Sequence, residues 1–288
     1  MHTHFSVSTL LKTAAFFSGP TLFSGLDVSV KITTDASLDG IYFKRVDLPG
    51  QPQFKACLDT ILDTPRTTIL GSPQVHVVLV EHLLATLFVI GISKALIEID
   101  GPEVPIGDGS ALHIIKALEN AGIEATEPGF SGQLTTPFQF EYKDQLVIGL
   151  PYPHFKISYL LQYPNHPLMD AQFYSFDMSL DGFKEEIAPC RTFALKQEVD
   201  AMIEKKILKG ISLDYGLVLD QDKVLNPNGL RFSNEMARHK ILDMIGDFTL
   251  AEVRPALHIV AIKSGHYANT QFAKLLKSHL KLEKHYGI

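Results

Sequence analysis

The chain has 288 residues, of which 45% are apolar and 20% are charged, and its 26 Lys+Arg against 32 Asp+Glu give a formal net charge of −6. The apolar content excludes a disordered chain, the length suggests about two domains, and the acidic balance argues against a nucleic-acid-binding protein. Two cysteines are too few for a disulfide framework or a Cys-ligated structural zinc site, and they fit a reducing, cytoplasmic location.

The first half of the chain reads as strands followed by helices. Alternating apolar residues predict strands at Val28–Ile32, Ile41–Val46 and Lys94–Asp100. The run Glu81–Ile90 is apolar at helical spacing and predicts a helix that ends at Gly91. Residues Gly101–Gly109 predict turns, and Ser110–Ala121 predicts a helix with Ser110 as its N-cap.

The second half repeats this order after residues 124–134, which lack periodicity and are the predicted domain boundary. Strands are predicted at Phe138–Tyr142, Gln145–Gly149, Phe155–Gln162, Gln172–Phe176 and Leu257–Lys263. Helices are predicted at Leu180–Ile187, Val199–Leu208, Ser233–Ala251 and Asn269–Lys284. Strands then helices, twice over, indicate two related α+β halves. No stretch of about 20 apolar residues is present, so we expect no transmembrane segment. The N-terminus lacks a basic region ahead of an apolar run, so we expect no signal peptide.

The segment Arg238–Asp243 lies in the longest predicted helix and carries the strongest local signal. His239 and Asp243 are four residues apart and therefore share one face of the helix. In this geometry one helix offers two ligands to a single metal ion. The surrounding residues are apolar, so the pair is expected to face the interior; a surface His–Asp ion pair is the alternative.

Two further histidines stand in unusual positions. Glu81 and His82 open an otherwise apolar helix and need partners inside the fold. Their adjacency is similar to the pairing of base and ligand in zinc hydrolases, although an N-terminal glutamate beside a core histidine is the alternative. His266 follows Gly265 at a strand-to-helix turn, where either a functional or a solvent-facing histidine fits. Thr192 follows a predicted helix and offers a hydroxyl to an oxyanion, a weak signal by itself.

These residues gain meaning as a set. His82, His239 and Asp243 would supply two imidazoles and one carboxylate, three ligands that leave an open position for water. Glu81 would act as a base on that water, and His266 as a cationic acid. The same ligand set suits a non-haem Fe(II) oxidoreductase, which stays open as an alternative.

Seven short motifs follow one another over nearly the whole chain. They are Val80–Ala85, Gly101–Ala111, Asn165–Pro167, Arg191–Phe193, Asn226–Phe232, Arg238–Asp247 and Lys263–His266. In residues, order and spacing they resemble the UDP-3-O-acyl-N-acetylglucosamine deacetylase family (LpxC), the zinc amidases of lipid A biosynthesis.

The resemblance implies an α+β fold of two topologically related domains, each a sheet layered with helices, with the active site between them. The expected domains are residues 1–125, with a small inserted sheet near 100–109, and residues 133–288, with a βαβ-like insert near 193–219. In the family the second insert forms a hydrophobic passage for the acyl chain of the substrate. Candidates to line it, which could equally be plain core, are Ile207, Leu208, Ile211 and Leu213.

The resemblance also implies a metal centre. His82, His239 and Asp243 correspond to the ligands of one Zn²⁺ per chain, a site that Fe²⁺ also fits. Glu81 corresponds to the general base, and His266 to the general acid or electrostatic partner.

Five further positions are carried over in the same way. Thr192 corresponds to a hydroxyl that stabilises the oxyanion, and Asp247, two turns beyond His239, to a carboxylate that orients His239. Lys240, Phe193 and Gly210 correspond to positions that bind substrate.

The implied activity is zinc-dependent hydrolysis of the acetamide of UDP-3-O-acyl-N-acetylglucosamine, giving acetate and a free amino sugar. The implied protein is a cytoplasmic monomer whose partner is the acylated UDP-amino-sugar. A non-catalytic homologue that binds the nucleotide sugar is a further alternative. Glu81 and His266 argue against it, because a binding module needs neither a base nor an acid beside a metal.

The chain departs from the family pattern at two places. Thr21 and Phe23 replace a glycine and a histidine of an N-terminal segment, and Val78-Leu79 replace a polar pair ahead of the Glu-His motif. We expect these changes to alter the polar surroundings of the site and part of the substrate contacts, but not the ligand set or the base.

Overall fold

The computed structural model describes residues 7–128, 131–164, 166–210 and 212–283. The first-half strands are β1 (Val7–Leu11), β2 (Ala15–Pro20), β3 (Asp27–Thr34), β4 (Ile41–Arg45), β5 (Gln53–Lys55), β6 (Ile61–Asp63), β7 (Ile69–Gly71), β8 (His76–Val78), β9 (Ala95–Ile99) and β10 (Ile123–Pro128). The helices are α1 (Glu81–Ile90) and α2 (Leu112–Asn120), and a 3-10 turn covers Leu58–Thr60.

The second half continues with strands and four helices. Its strands are β11 (Ser131–Leu134), β12 (Phe138–Tyr142), β13 (Gln145–Pro151), β14 (Phe155–Leu161), β15 (Gln172–Asp177), β16 (Phe193–Leu195), β17 (Leu217–Asp220), β18 (Lys223–Val224), β19 (Arg254–Ile262) and β20 (Leu280–Glu283). The helices are α3 (Leu180–Gly182, continued by a π-helical turn at Phe183–Ile187), α4 (Lys196–Glu204), α5 (Glu235–Thr249) and α6 (His266–His279).

The two halves share one sheet topology. The first sheet has the order β2-β3-β9-β4-β5, with β9 antiparallel to β3 and parallel to β4. In the second, β12, β13 and β19 are followed by β14 and β15, with β19 antiparallel to β13 and parallel to β14. In each half one strand, β9 or β19, lies in the middle of the sheet and stands in the chain after one helix (α1 or α5) and before another (α2 or α6). The predicted α+β fold of two related halves is confirmed.

Helices α1 and α5 are equivalent elements of the two halves and pack against each other. Leu83, Leu84 and Leu87 of α1 are fully buried, as are Ile241 and Ile245 of α5. Burying a side chain of this size contributes about 1.5–3 kcal/mol, so apolar contacts hold this helix pair together. Ionisable groups on the same two helices are therefore held away from solvent.

The segment predicted to be an irregular domain boundary, residues 124–134, carries two strands instead. β10 pairs antiparallel with β1, and β11 pairs parallel with β19 and antiparallel with β20. Their partners are distant in sequence, so hydrogen bonding across the fold, rather than a local apolar pattern, places these strands.

The small inserted sheet also lies elsewhere than predicted. It consists of β6, β7 and β8, between residues 61 and 78. Of the segment 100–109, only Glu103 joins it, by an isolated parallel bridge to Val78. Pro102 and Pro105 lack the N–H groups that a regular ladder needs.

Four predicted helices have different limits. α5 covers Glu235–Thr249 and is two residues shorter at each end than predicted. α6 begins at His266, and the chain turns into β20 after His279; Lys284 lies outside the described residues. α2 begins at Leu112 with Ala111 in the N-cap position, and Ser110 accepts the Leu112 N–H through Oγ at 3.3 Å.

Helix α4 begins at Lys196 and ends at Glu204, so the predicted 199–208 is shifted by one turn. With parallel β16 and β17 it forms a βαβ unit, to which β18 adds an antiparallel strand. Among the described residues, no helix is long and apolar enough to cross a membrane.

Candidate active site

Three ligand atoms from α1 and α5 converge in the interior. His82 Nε2 lies 3.6 Å, and His239 Nε2 3.3 Å, from Oδ1 of Asp243. The two imidazole rings stand edge to face, with centroids 5.0 Å apart. All three residues are buried, and their ligand atoms lie within 4.8 Å of one another, which is the size of a metal site.

The chemistry of this set fits a cation. His239 Nδ1 lies 3.0 Å from the carbonyl oxygen of Cys190 and donates to it, which directs Nε2 at the Asp243 carboxylate. Burial opposes ionisation of Asp243, but Lys240 and then His239 outweigh it and hold the pKa of Asp243 well below its usual value. An imidazole nitrogen this close to a carboxylate oxygen needs a cation between them, which is either a proton or a metal ion. Two imidazoles and a carboxylate are ligands for zinc and for Fe(II).

Lys240 holds the other oxygen of the same carboxylate. Its Nζ donates to Oδ2 of Asp243 at 2.9 Å, which leaves Oδ1 to face the histidines. The ammonium also lies 5.4 Å from the ring centroid of Phe193, and that ring lies 6.4 Å from His239. Burial lowers the pKa of Lys240, but Asp243 outweighs it, and the net direction is upward.

Glu81 is buried beside this centre with both oxygens engaged. Oε1 accepts from the hydroxyl of Thr67 at 2.7 Å, and Oε2 accepts from the backbone N–H of Thr68 at 3.1 Å. Nε2 of His266 lies 3.8 Å from Glu81 Oε1 and 4.0 Å from Asp243 Oδ2. The predicted base and acid therefore flank the carboxylate of the ligand set.

Asp247 orients His266, so the expectation that it orients His239 is wrong: Nδ1 of His239 lies against the Cys190 carbonyl instead. Nδ1 of His266 donates to Oδ2 of Asp247 at 2.9 Å, and that oxygen also accepts from Nδ2 of Asn269 at 2.8 Å. Burial lowers the pKa of His266, but Asp247, with Glu81 and Asp243 as smaller contributors, outweighs it and raises the pKa to about 9. The imidazole is consequently a cation at neutral pH, with Nε2–H directed toward the centre.

A cavity of about 600 Å³ opens onto these groups. Glu81, Lys240, Asp243 and His266 line it, as do Thr192, Phe193 and Gly210. Its wall also carries charged side chains, such as Arg66 and Glu198, and apolar side chains of the βαβ unit and of the loop at residues 22–25, among them Leu22, Phe23, Met202, Leu208, Leu213 and Leu217.

Of the residues expected to line an apolar passage, Leu208 and Leu213 do so. Ile207 lies off the cavity wall and is 47% exposed, because the chain folds back over the end of α4, where the Ile207 N–H bonds to the Met202 carbonyl. Ile211 lies outside the described residues. At Gly210 a Cβ atom would come within 2.0 Å of the Thr21 carbonyl oxygen, so this glycine lets the βαβ unit close against the 22–25 loop.

Glu103 is a buried carboxylate to which no role follows from the sequence. Its oxygens accept backbone N–H groups of Leu22, Phe23 and Ser24 at 2.7–3.1 Å. It thereby fixes the loop that puts Leu22 and Phe23 on the cavity wall. The signal that could have revealed it is an acidic residue inside a Gly- and Pro-rich turn, because a buried carboxylate needs hydrogen-bond donors.

A buried ion pair supports the other side of the cavity. Glu235 accepts from Nε of Arg191 at 2.8 Å and from the Arg191 backbone N–H at 3.1 Å. The next residue, Thr192, donates its N–H to the Gly109 carbonyl at 2.8 Å. These hydrogen bonds hold the backbone at residues 191 and 192 in place, and so position Thr192 and Phe193 on the cavity wall.

Comparison with known proteins adds an independent finding. A family model described as UDP-3-O-acyl N-acetylglycosamine deacetylase (LpxC) matches residues 8–278. The UDP-3-O-acyl-N-acetylglucosamine deacetylase of Geotalea uraniireducens is 35% identical over 269 residues, which cover 93% of this chain and 87% of that protein. Those of a Synechocystis species and of Chlamydia pneumoniae are 36% and 35% identical, over 92% and 94% of this chain and 96% and 97% of theirs.

Proposed function

Because this chain belongs to the UDP-3-O-acyl-N-acetylglucosamine deacetylase (LpxC) family, we propose that it hydrolyses the acetamide of UDP-3-O-acyl-N-acetylglucosamine. The products are acetate and UDP-3-O-acyl-glucosamine, and the reaction is the committed step of lipid A synthesis. One observation carries the proposal: a carboxylate and a cationic imidazole flank a buried His-His-Asp set beside a cavity that apolar side chains help to line.

We propose one zinc ion per chain, held by His82, His239 and Asp243, a site that Fe²⁺ also fits. When bound, zinc supplies Lewis-acid chemistry, by polarising the amide carbonyl and lowering the pKa of water toward about 7. The remaining roles belong to side chains of this protein.

Glu81 takes the proton of the attacking water. Thr67 and Thr68 donate to its two oxygens, which fixes the direction of the carboxylate. General-base catalysis of this kind contributes about 10²–10⁴-fold to the rate.

His266 gives a proton to the leaving amine. It is charged before the reaction begins, because Asp247 outweighs its burial, and its Nε2–H points to the same centre as Glu81. The proton taken by Glu81 and the proton lost by His266 balance over one turnover, so the amide nitrogen leaves as an amine and the acetyl group as acetate.

Thr192, Lys240, Phe193 and Gly210 are the proposed substrate contacts. The hydroxyl of Thr192 donates to the developing oxyanion, and Lys240 offers positive charge at the cavity. The apolar wall accommodates the acyl chain. We further propose that the protein acts as a cytoplasmic monomer.

Metal analysis of the purified protein, coupled to an assay of acetate release, tests the function. About one equivalent of zinc with acetate release supports it, and bound metal without acetate indicates a non-catalytic protein that binds a nucleotide sugar. Activity that needs Fe(II) and O₂ indicates the oxidoreductase alternative. Glu81→Gln removes the proposed base and should lower the rate of acetate release. Its control is Glu185→Gln, which changes an exposed carboxylate that does not line the cavity.

A further inference from the structure

Thr68 touches the supports of both reacting groups. Its backbone N–H donates to Glu81 Oε2 at 3.1 Å, and its hydroxyl donates to Asp247 Oδ1 at 2.6 Å. The other oxygen of Asp247 accepts from Nδ1 of His266. One residue therefore connects the carboxylate of Glu81 to the carboxylate that orients His266.

Thr67 completes the arrangement on the side of the base. Its hydroxyl donates to Glu81 Oε1 at 2.7 Å, so neighbouring residues occupy both oxygens of one carboxylate. Thr67 is 4% exposed and Thr68 is fully buried, so water does not compete for these bonds. Charge-assisted hydrogen bonds of this length are the stronger ones.

The placement of this pair depends on the small inserted sheet. Residues 67 and 68 immediately precede β7, the middle strand of the sheet β6-β7-β8. Glu81 begins α1 in one half, whereas Asp247 lies on α5 in the other. The two residues before β7 therefore contact a residue of the first half and a residue of the second.

We propose that Thr68 is a positioning residue, which sets the separation and direction of Glu81 and His266. It holds Glu81 directly, and it holds His266 through Asp247 and through its own hydroxyl oxygen, which lies 3.4 Å from Nδ1 of His266. The proposal rests on the function proposed above, because base and acid must face one reacting amide together. Thr67 holds the base alone.

Removal of the Thr68 hydroxyl separates the effect of its bond to Asp247 from the effect of the backbone bond to Glu81. In Thr68→Val the backbone N–H to Glu81 remains, while Asp247 Oδ1 loses its donor inside the protein. Asp247 can then rotate, and the Nε2–H of His266 no longer points steadily at the leaving nitrogen. Thr68→Ser keeps the hydroxyl.

The experiment uses the zinc-loaded full-length protein. For Thr68→Val we expect kcat to fall about tenfold or more, with KM within about twofold of the wild type and zinc content unchanged. Thr68→Ser should restore kcat to within about threefold. Thr67→Val should also lower kcat, without affecting His266.

A second readout does not depend on turnover. The proton on His266 Nδ1 should give a downfield NMR resonance in the wild type and in Thr68→Ser. It should shift or broaden in Thr68→Val and stay unchanged in Thr67→Val. If the wild type releases no acetate, the proposed function fails, and this resonance still decides whether Thr68 positions His266.

Thr9→Val is the matched control, because Thr9 is a buried threonine whose hydroxyl donates to the Ile90 carbonyl at 2.9 Å, with no contact to the site. It should lose stability as Thr68→Val does and keep its kcat. A kcat of Thr68→Val within about twofold of the wild type with an unchanged resonance overturns the proposal. An equal loss of kcat in Thr9→Val does the same, since the effect would then follow stability alone.

Discussion

Gly246 of α5 lies against the backbone of Glu81, the first residue of α1. A Cβ atom at position 246 would come within 2.1 Å of the Glu81 carbonyl oxygen. Gly246 lies inside a regular helix and does not have a positive φ angle. The packing therefore requires glycine here because it has no side chain. This close approach brings Asp243, one turn before Gly246, within reach of His82.

Gly246→Ala should therefore separate the two helices. The new methyl group meets backbone, which cannot rotate away, so we expect a loss of about 1–3 kcal/mol in the free energy of unfolding and weaker zinc binding. Gly40→Ala is the control, since an added methyl there meets only the flexible ends of the side chains of Lys55 and Glu252. Chemical unfolding and zinc titration measure both effects; equal zinc affinity in the two variants would contradict the interpretation.

The spacing behind the proposed ligand set can be read from the sequence because each signal is local. The spacing of His239 and Asp243 is a property of one helix, and the structure adds only that the apolar residues around them bury that face. The supporting residues Thr67, Thr68 and Glu103 were not predictable in this way. Each acts on a group far along the chain, such as Asp247, 179 residues from Thr68.

The same distinction applies to the fold. The helices α1 and α5 follow from their own apolar patterns, whereas β10 and β11 are strands because β1, β19 and β20 offer hydrogen bonds from elsewhere in the chain. Val78 and Leu79 replace a polar pair ahead of Glu81, and we expected fewer polar groups around the site. Thr67 and Thr68, just before β7 of the small sheet, supply hydrogen-bond donors to Glu81 instead.

Glu103→Ala should loosen the cavity wall without disturbing the metal ligands. Leu22, Phe23 and Ser24 would lose the acceptor of their N–H groups, and each unsatisfied buried group costs about 1–3 kcal/mol. We expect a lower melting temperature and a KM raised several-fold, with zinc content unchanged. Glu98→Ala, on the surface of the first sheet and paired with Lys31, is the control and should change neither KM nor zinc content. A zinc content that falls together with KM would place Glu103 in a different role.

Removal of the metal should destabilise the protein through the Asp243 site. Without the metal ion, Nε2 of His239 and an Asp243 oxygen 3.3 Å away inside the protein have only a proton to share between them. Chelation should lower the melting temperature, and one equivalent of zinc should restore it, because a ligand that binds only the folded state stabilises it. His239→Ala should not respond to zinc. A melting temperature that zinc raises equally in this variant would show that the ion binds elsewhere.

The stability of the metal-free protein should fall as the pH rises from about 6.5 to 9. Although burial opposes the charge of His266, Asp247 raises its pKa to about 9, above the ordinary value of 6.5. A histidine whose pKa is higher in the folded state stabilises that state fully below its unfolded pKa, and this contribution is lost as the pH passes the folded pKa. In Asp247→Asn, burial is no longer opposed by the nearest carboxylate, so this dependence should shrink by up to about 3 kcal/mol. Urea unfolding of both metal-free proteins at pH 6 and pH 9.5 measures the difference, in which groups that titrate alike in both proteins cancel. Parallel pH profiles would mean that Asp247 does not hold the charge of His266.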